Sequence, residues 1–256
     1  MTELIYQSNP WILPIMMLVV LGLAIELPYR YAGALAIKTP NTDAFTAVQA
    51  GLLTLASFVL GLSFSQASAR FDSRRALVVT EANAIGTTWL RADQFGSMQS
   101  VRFRDILTRY AAARLKAYET PRNPQVIDES NQDQDKLWNM ASSALRADRT
   151  NLGYSLLMQS LNDTIDISAE QLQALTSHVP TSIVVLTLLL VTLGALSLGL
   201  RFALDRSRPV ALSVIYVVAC VVVINMMIDY DRPQTGFVKV NLAPLQRQLQ
   251  SMQRTQ

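Results

Sequence analysis

Apolar residues gather into four long runs in this chain, at residues 11–27, 44–67, 181–200 and 210–228, and polar stretches separate them. A hydrocarbon core about 30 Å thick needs about 20 residues of helix, so the pattern predicts four transmembrane helices. The first run is near the short limit and holds Pro14, which a helix accepts in its first turn. A cleaved signal peptide is the alternative for that run, and the lack of a basic segment before Trp11 argues against it.

The second run does not stop where a membrane would. It passes into Ser68-Ala69-Arg70-Phe71-Asp72-Ser73-Arg74-Arg75 and meets no proline before Pro121. One helix is therefore expected to leave the bilayer and become the spine of a water-exposed helical domain. Ala76, Val79, Asn83, Gly86 and Leu90 share one face of it at helical spacing. Gly96-Ser97 marks a break. Residues 98–118 read as an amphipathic helix, with Val101, Ile106, Leu107, Tyr110 and Leu115 set against Arg102, Arg104, Arg109 and Arg114. A turn at Thr120-Pro121-Arg122-Asn123-Pro124 precedes one long helix over residues 133–177, and His178-Val179-Pro180 leads back to the membrane.

After the fourth run, residues 229–236 read as a tight polar turn and residues 237–240 as a short extended segment. The Gln-rich end, residues 244–256, is expected to be weakly helical at best, with its last residues poorly ordered. The expected fold is all-α, bounded as residues 1–69 (two spans), 70–179 (helical soluble domain inserted after the second span), 180–228 (two spans) and 229–256 (tail).

Composition narrows the partners. Hydrophobic residues make up 50% of the chain and the net charge is +3. Residues 70–179 hold thirteen Lys/Arg and thirteen Asp/Glu, so this domain is neutral and has no basic stripe for nucleic acid. Cys220 is the only cysteine, which excludes a disulfide framework or a thiolate metal site. Basic residues do not decide orientation. Arg70, Arg74, Arg75, Arg232, Lys239 and Arg247 flank one side, against Arg30, Lys38, Arg201, Arg206 and Arg208 on the other.

The second run carries a lengthwise stripe. At 3.6 residues per turn, Ala47, Ala50, Gly51, Thr54, Ser57, Phe58, Gly61, Ser65, Ser68 and Asp72 fall near one line. Small residues so placed allow close helix packing in lipid. Phe58 interrupts the stripe near its middle, where a packing seam would avoid a ring. With Thr54 and Leu62 a turn away on either side, it would form stacked rings in an oligomer, and apolar rings gate by dewetting or narrowing. Between their ends the four runs hold no Asp, Glu, Lys, Arg or His. Proton-coupled pumps and transporters usually carry such a residue in mid-membrane, so a passive route fits better; Asn225 suits an interhelical hydrogen bond.

Catalysis has little to stand on. His178 is the sole histidine, and no phosphate loop, dinucleotide fingerprint or paired-cysteine motif is present. The chain is expected to be no enzyme and to carry neither metal nor cofactor. Arg70, Asp72, Arg74, Arg75 and, further on, Glu81 read either as a solvated helix face or as vestibule charges that concentrate anions. The spacing of Asp72 and Arg75 permits their pairing.

These residues resemble a known family. Ser57-Phe58-Val59-Leu60-Gly61 and the run Ala69–Arg75 are similar to the neck and the following Arg-aromatic motif of bestrophins. Arg74-Arg75-Ala76-Leu77-Val78-Val79-Thr80-Glu81-Ala82-Asn83-Ala84-Ile85-Gly86-Thr87-Thr88 and the closing Asp229-Tyr230-Asp231-Arg232-Pro233-Gln234-Thr235-Gly236-Phe237 resemble the bacterial bestrophin-like family, as does the four-span layout. The resemblance implies a pentameric anion channel with cytosolic termini and a neck of three apolar side chains from the second helix. Carried over, the neck positions are Thr54, Phe58 and Leu62; Thr54 stands for an aliphatic residue, Leu62 for an aromatic one and Leu55 for a proline. Asp229 and Asp231 do not reproduce the acidic calcium clasp of the animal proteins.

The expected function is an oligomeric passive channel for small inorganic anions such as chloride. Its pore would be lined by Ala47, Gly51, Ser57, Gly61, Ser65 and Ser68, with the neck above and vestibule charges Arg70, Asp72, Arg74 and Arg75. Its partners are membrane lipid and copies of itself. It would sit in the inner membrane with the large domain in the cytoplasm. The rivals are a non-conducting membrane-anchored interaction or sensing protein, whose helical domain binds a partner, and a coupled transporter.

Overall fold

A computed structural model describes residues 11–31, 42–120, 123–232 and 236–255. Lys38, Pro121, Arg122, Pro233, Gln234, Thr235 and Gln256, on which parts of the sequence reading rest, lie outside them. Among the described residues the chain is helical and has no strand. The helices are α1 (Ile12–Tyr31), α2 (Thr42–Arg91), α3 (Ser97–Glu119), α4 (Pro124–Ala147), α5 (Leu152–Thr176), α6 (Thr181–Leu204), α7 (Val210–Asp231) and α8 (Ala243–Arg254). Four of them, α1, α2, α6 and α7, are long and apolar enough to cross a membrane.

The chain divides into two compact units, Met1–Phe71 with His178–Val238, and Asp72–Ser177 with Lys239–Gln256. The 50-residue α2 contributes to both, since neither proline nor glycine interrupts it between Gly61 and Gly86.

The first unit packs α1 against α6 and α7. Leu13, Met17, Leu21, Ala24 and Ile25 form the buried stripe of α1 at three- and four-residue steps. Gly199 of α6 lets the backbone of Ile25 come within touching distance, where a Cβ would collide with the Ile25 carbonyl. Such close approach substitutes for the missing hydrophobic drive between helices in lipid. Among the described residues, the first unit's part of α2 buries Ala56, Ser63 and Ala67. Ser63 and Thr187 of α6 share a hydroxyl–hydroxyl hydrogen bond of 2.9 Å, and each also donates or can donate to its own helix.

The second unit closes around Val78, Ile85 and Trp89 of α2, Phe103, Leu107 and Tyr110 of α3, and residues of α4, α5 and α8. Four sequence expectations change here. The supposed single helix over residues 133–177 is two, α4 and α5. Asp148 ends the first by accepting from the Thr150 amide and hydroxyl, and Asn151 caps the second by accepting from the Gly153 and Tyr154 amides. The Gln-rich tail forms the 12-residue helix α8, because Leu245, Leu249 and Met252 recur at helical spacing and pack into the core. The face bearing Ala76, Val79, Asn83 and Leu90 is the exposed one; the buried face runs through Val78, Glu81, Ala82, Ile85, Thr88 and Trp89. Val101 is exposed, and Phe103 takes the core position.

In the first unit, Asp229, Tyr230 and Asp231 are the last turn of α7, not part of a turn. Residues 237 and 238 bend rather than extend, because their amides both donate to the Asp229 carboxylate at 2.8 Å.

Candidate functional site

The stripe of α2 faces out of the protomer. Ala47, Ala50, Gly51, Thr54, Ser57, Gly61, Ser65 and Asp72 are exposed and Ser68 is half-buried. Phe58 is 62% and Leu62 48% exposed. The edge that packs inward is the separate line of Ala56, Ser63 and Ala67. A large ring and a leucine held outward on a helix this apolar need cover from lipid or from another chain, since burying a side chain of that size is worth about 1.5–3 kcal/mol. An added Cβ at Gly51 or Gly61 would meet nothing within 4 Å among the described residues, so these glycines do not serve packing among them.

The charged positions separate. Arg70 is half-buried, and Asp72 and Arg75 are exposed with no ion pair between them among the described residues. Arg74 is buried. Its Nε donates to the Ala174 carbonyl at 2.9 Å and an Nη to the Ser177 carbonyl at 2.6 Å. It thus satisfies carbonyls that the end of α5 leaves open, where the helix dipole also favours a cation. Its charge is directed at a helix end rather than at solvent.

Glu81, grouped with these charges in the sequence reading, is also placed elsewhere: it is 0% exposed. Arg114 donates through Nε to one of its oxygens, and the Tyr118 hydroxyl donates to the other at 2.7 Å. Arg114 also reaches the Gln171 side-chain oxygen at 2.7 Å, and its guanidinium lies over the Tyr118 ring at 5.9 Å. Alongside, the Gln134 amide donates to the Tyr110 hydroxyl and the Ser168 hydroxyl.

Burial, followed by the Glu81 charge, pushes the Tyr118 phenol well above its ordinary value, and burial also raises Tyr110. For Arg114, burial works against the charge, but Glu81 and the neighbouring tyrosines outweigh it and hold the guanidinium above its usual value. A buried pair of this kind is costly to desolvate and costly to break. Sequence inspection missed it, although a signal existed: Glu81 lies among Val78, Ala82 and Ile85, and Arg114 among Tyr110, Ala111 and Tyr118, at three- and four-residue steps.

At the end of α7, carboxylates serve the backbone. Asp231 accepts from the Val179 amide at 3.0 Å, and His178 Nδ1 lies 3.3 Å from the Asp231 carbonyl. With Asp229 holding residues 237 and 238, these acids shape the chain around them. No group of three or more His, Cys, Asp or Glu among the described residues is arranged to hold a metal ion.

Residues 16–245 match the sequence profile of the family described as Bestrophin-like, the Bestrophin-like domain. A crystal structure of a bacterial bestrophin homologue from Klebsiella pneumoniae superposes with a TM-score of 0.69 at 16% identity, over 94% of each chain. Two single-substitution variants of that protein give TM-scores of 0.67 at 17% identity and 0.69 at 16%. The first covers 96% of this chain and 97% of the other, and the second 97% of both. At this identity the likeness shows a shared fold. No protein of curated function matches the sequence.

Proposed function

The chain belongs to the bestrophin-like family, and from that premise we propose that it is an oligomeric passive ion channel, preferring anions, whose pore is lined by α2. The observation that carries the reading is the outward presentation of Thr54, Phe58 and Leu62 on a helix segment without a single ionisable side chain. Copies arranged about an axis, five in the family pattern, would bring these positions into rings. Phe58 and Leu62 constrict the path and exclude water from it, which sets the barrier to ion passage. Thr54 and Ser57 place hydroxyl dipoles beside that constriction, and Gly51, Gly61, Ala47, Ser65 and Ser68 keep the rest of the wall thin. Arg70 and Arg75 raise the local anion concentration, a field effect that needs no contact, while Asp72 opposes it. The protein is read as lying in the inner membrane with its second unit in the cytoplasm.

Chloride flux from proteoliposomes tests this. Phe58→Ala is expected to raise flux severalfold while the oligomer stays intact. A folded, oligomeric protein that passes no small anion would end the channel reading in favour of a non-conducting membrane-anchored interaction or sensing protein. Phe58→Ala that lowers oligomer stability without touching flux would make the stripe a packing seam.

A further inference from the structure

A groove of about 270 Å³ runs along the first unit between α1 and α7, lined by Leu18, Gly22, Phe202, Val214, Val217 and Val218. Its floor is open because Gly22 has no side chain, and a Cβ built there would meet nothing within 4 Å among the described residues. At one end stands a compact ion cluster. Arg208 donates from one Nη to both oxygens of Glu26, at 2.9 and 3.0 Å, and Arg30 donates from Nε to Glu26 at 2.6 Å. Two guanidinium groups share a single carboxylate, so the cluster carries one net positive charge.

The remaining N–H groups of Arg208 have no partner among the described residues, its side chain is 55% exposed, and the Tyr29 ring 5.6 Å away steadies the guanidinium. A planar guanidinium with spare donors suits a phosphate oxygen pair. From Leu18 to Glu26 the helix rises about 12 Å, so apolar floor and cationic rim lie along one path.

We infer that this groove is a binding site for an anionic phospholipid, with one acyl chain laid along Gly22 and Val217 and the headgroup phosphate on Arg208 and Arg30. The occupant follows from placement and charge. The walls belong to two helices built to cross a membrane, which makes hydrocarbon the surrounding solvent. The rim has the sign and the donors of a phosphate site. Glu26 weakens the attraction and at the same time holds both arginines in place, so the site selects for an anionic headgroup only modestly. One basic residue beside an anionic lipid is worth about 1 kcal/mol, or about fivefold in occupancy. The site is independent of conduction, and loss of the channel reading would leave it standing.

The test is native mass spectrometry of the full chain released from nanodiscs of equal phosphatidylglycerol and phosphatidylcholine. Wild type is expected to retain phosphatidylglycerol over phosphatidylcholine by about fivefold. Arg208→Gln should bring that ratio near one. Gly22→Leu fills the floor and should lower retention of both lipids, with oligomer mass unchanged and thermal stability no lower than wild type. Val218→Phe fills the same groove from the opposite wall if either variant expresses poorly. Equal retention by wild type and all variants would overturn the inference by making the bound lipid non-specific. Dissociation of the oligomer in Gly22→Leu and Val218→Phe would overturn it by assigning the groove to a neighbouring copy of the chain.

Discussion

Glu81 and Arg114, 33 residues apart in the chain, form an enclosed ion pair whose side chains are 0% and 3% exposed. The pair joins α2 to α3, and through Gln171 it reaches α5. Removing one member leaves the other charged and dry. Glu81→Leu is therefore expected to destabilise the protein by about 3–5 kcal/mol. Glu81→Leu combined with Arg114→Met should recover most of that loss, because two apolar side chains require no pairing. Denaturation midpoints of the two single variants and the double variant, compared in one detergent, check this. Additive losses would mean the two residues act separately.

Alkaline pH should weaken the same region. An unfolded tyrosine gives up its proton near pH 10, its ordinary value. In the folded chain, burial and then the Glu81 charge keep the proton on Tyr118, and burial does so on Tyr110. Above about pH 10 the folded state binds more protons than the unfolded one, so stability falls as pH rises. Below that value the contribution is fully present. Thermal unfolding followed from about pH 8 to about pH 11 should show the decline, and Tyr118→Phe should make it shallower. Titration of all eight tyrosines in a protein that is still folded would contradict the account.

The two helical glycines Gly22 and Gly199 should respond oppositely to the same substitution. At Gly199 a side chain would run into the Ile25 backbone, which cannot move aside as a side-chain tip can. Gly199→Leu is expected to cost at least about 1–3 kcal/mol through overpacking. At Gly22 the space is open, and Gly22→Leu should be neutral or slightly stabilising, since leucine is the better helix former. Melting temperatures of the two variants decide the matter.

Charge reversal at Arg75 tests the proposed gathering of anions. Arg75 is exposed, so Arg75→Glu should leave the fold intact and lower chloride flux at low ionic strength. At about 1 M salt, where the screening length shrinks to about 3 Å, wild type and variant should converge. A difference that persists at high salt would point to a local structural effect.

The backbone turn between α4 and α5 shows where the sequence reading stopped short. Asp148-Arg149-Thr150-Asn151 contains neither glycine nor proline, and the helix ends because short side chains accept backbone amides. That signal is weaker than the apolar periodicity on either side, which by itself predicts one continuous helix. In the tail, abundant glutamine hid the spacing of Leu245, Leu249 and Met252, which is a helix signal only when a core is available to receive it.

What the sequence determined alone is the set of properties that depend on near neighbours in the chain. Four long apolar runs, free of charge between their ends, make four membrane-length helices, since about 20 mostly apolar residues are needed to sit in hydrocarbon. The motifs around Phe58, Arg74 and Asp229 identify the family because they are contiguous. Tertiary structure alone decided which face of each helix is inward. It took Arg74 to the end of α5 and enclosed Glu81 with Arg114, and it left Phe58 and Leu62 outside the protomer. Those outcomes turn on which partner arrives from a distant part of the chain. Helical periodicity marks where a side chain points, and only packing decides what it meets there.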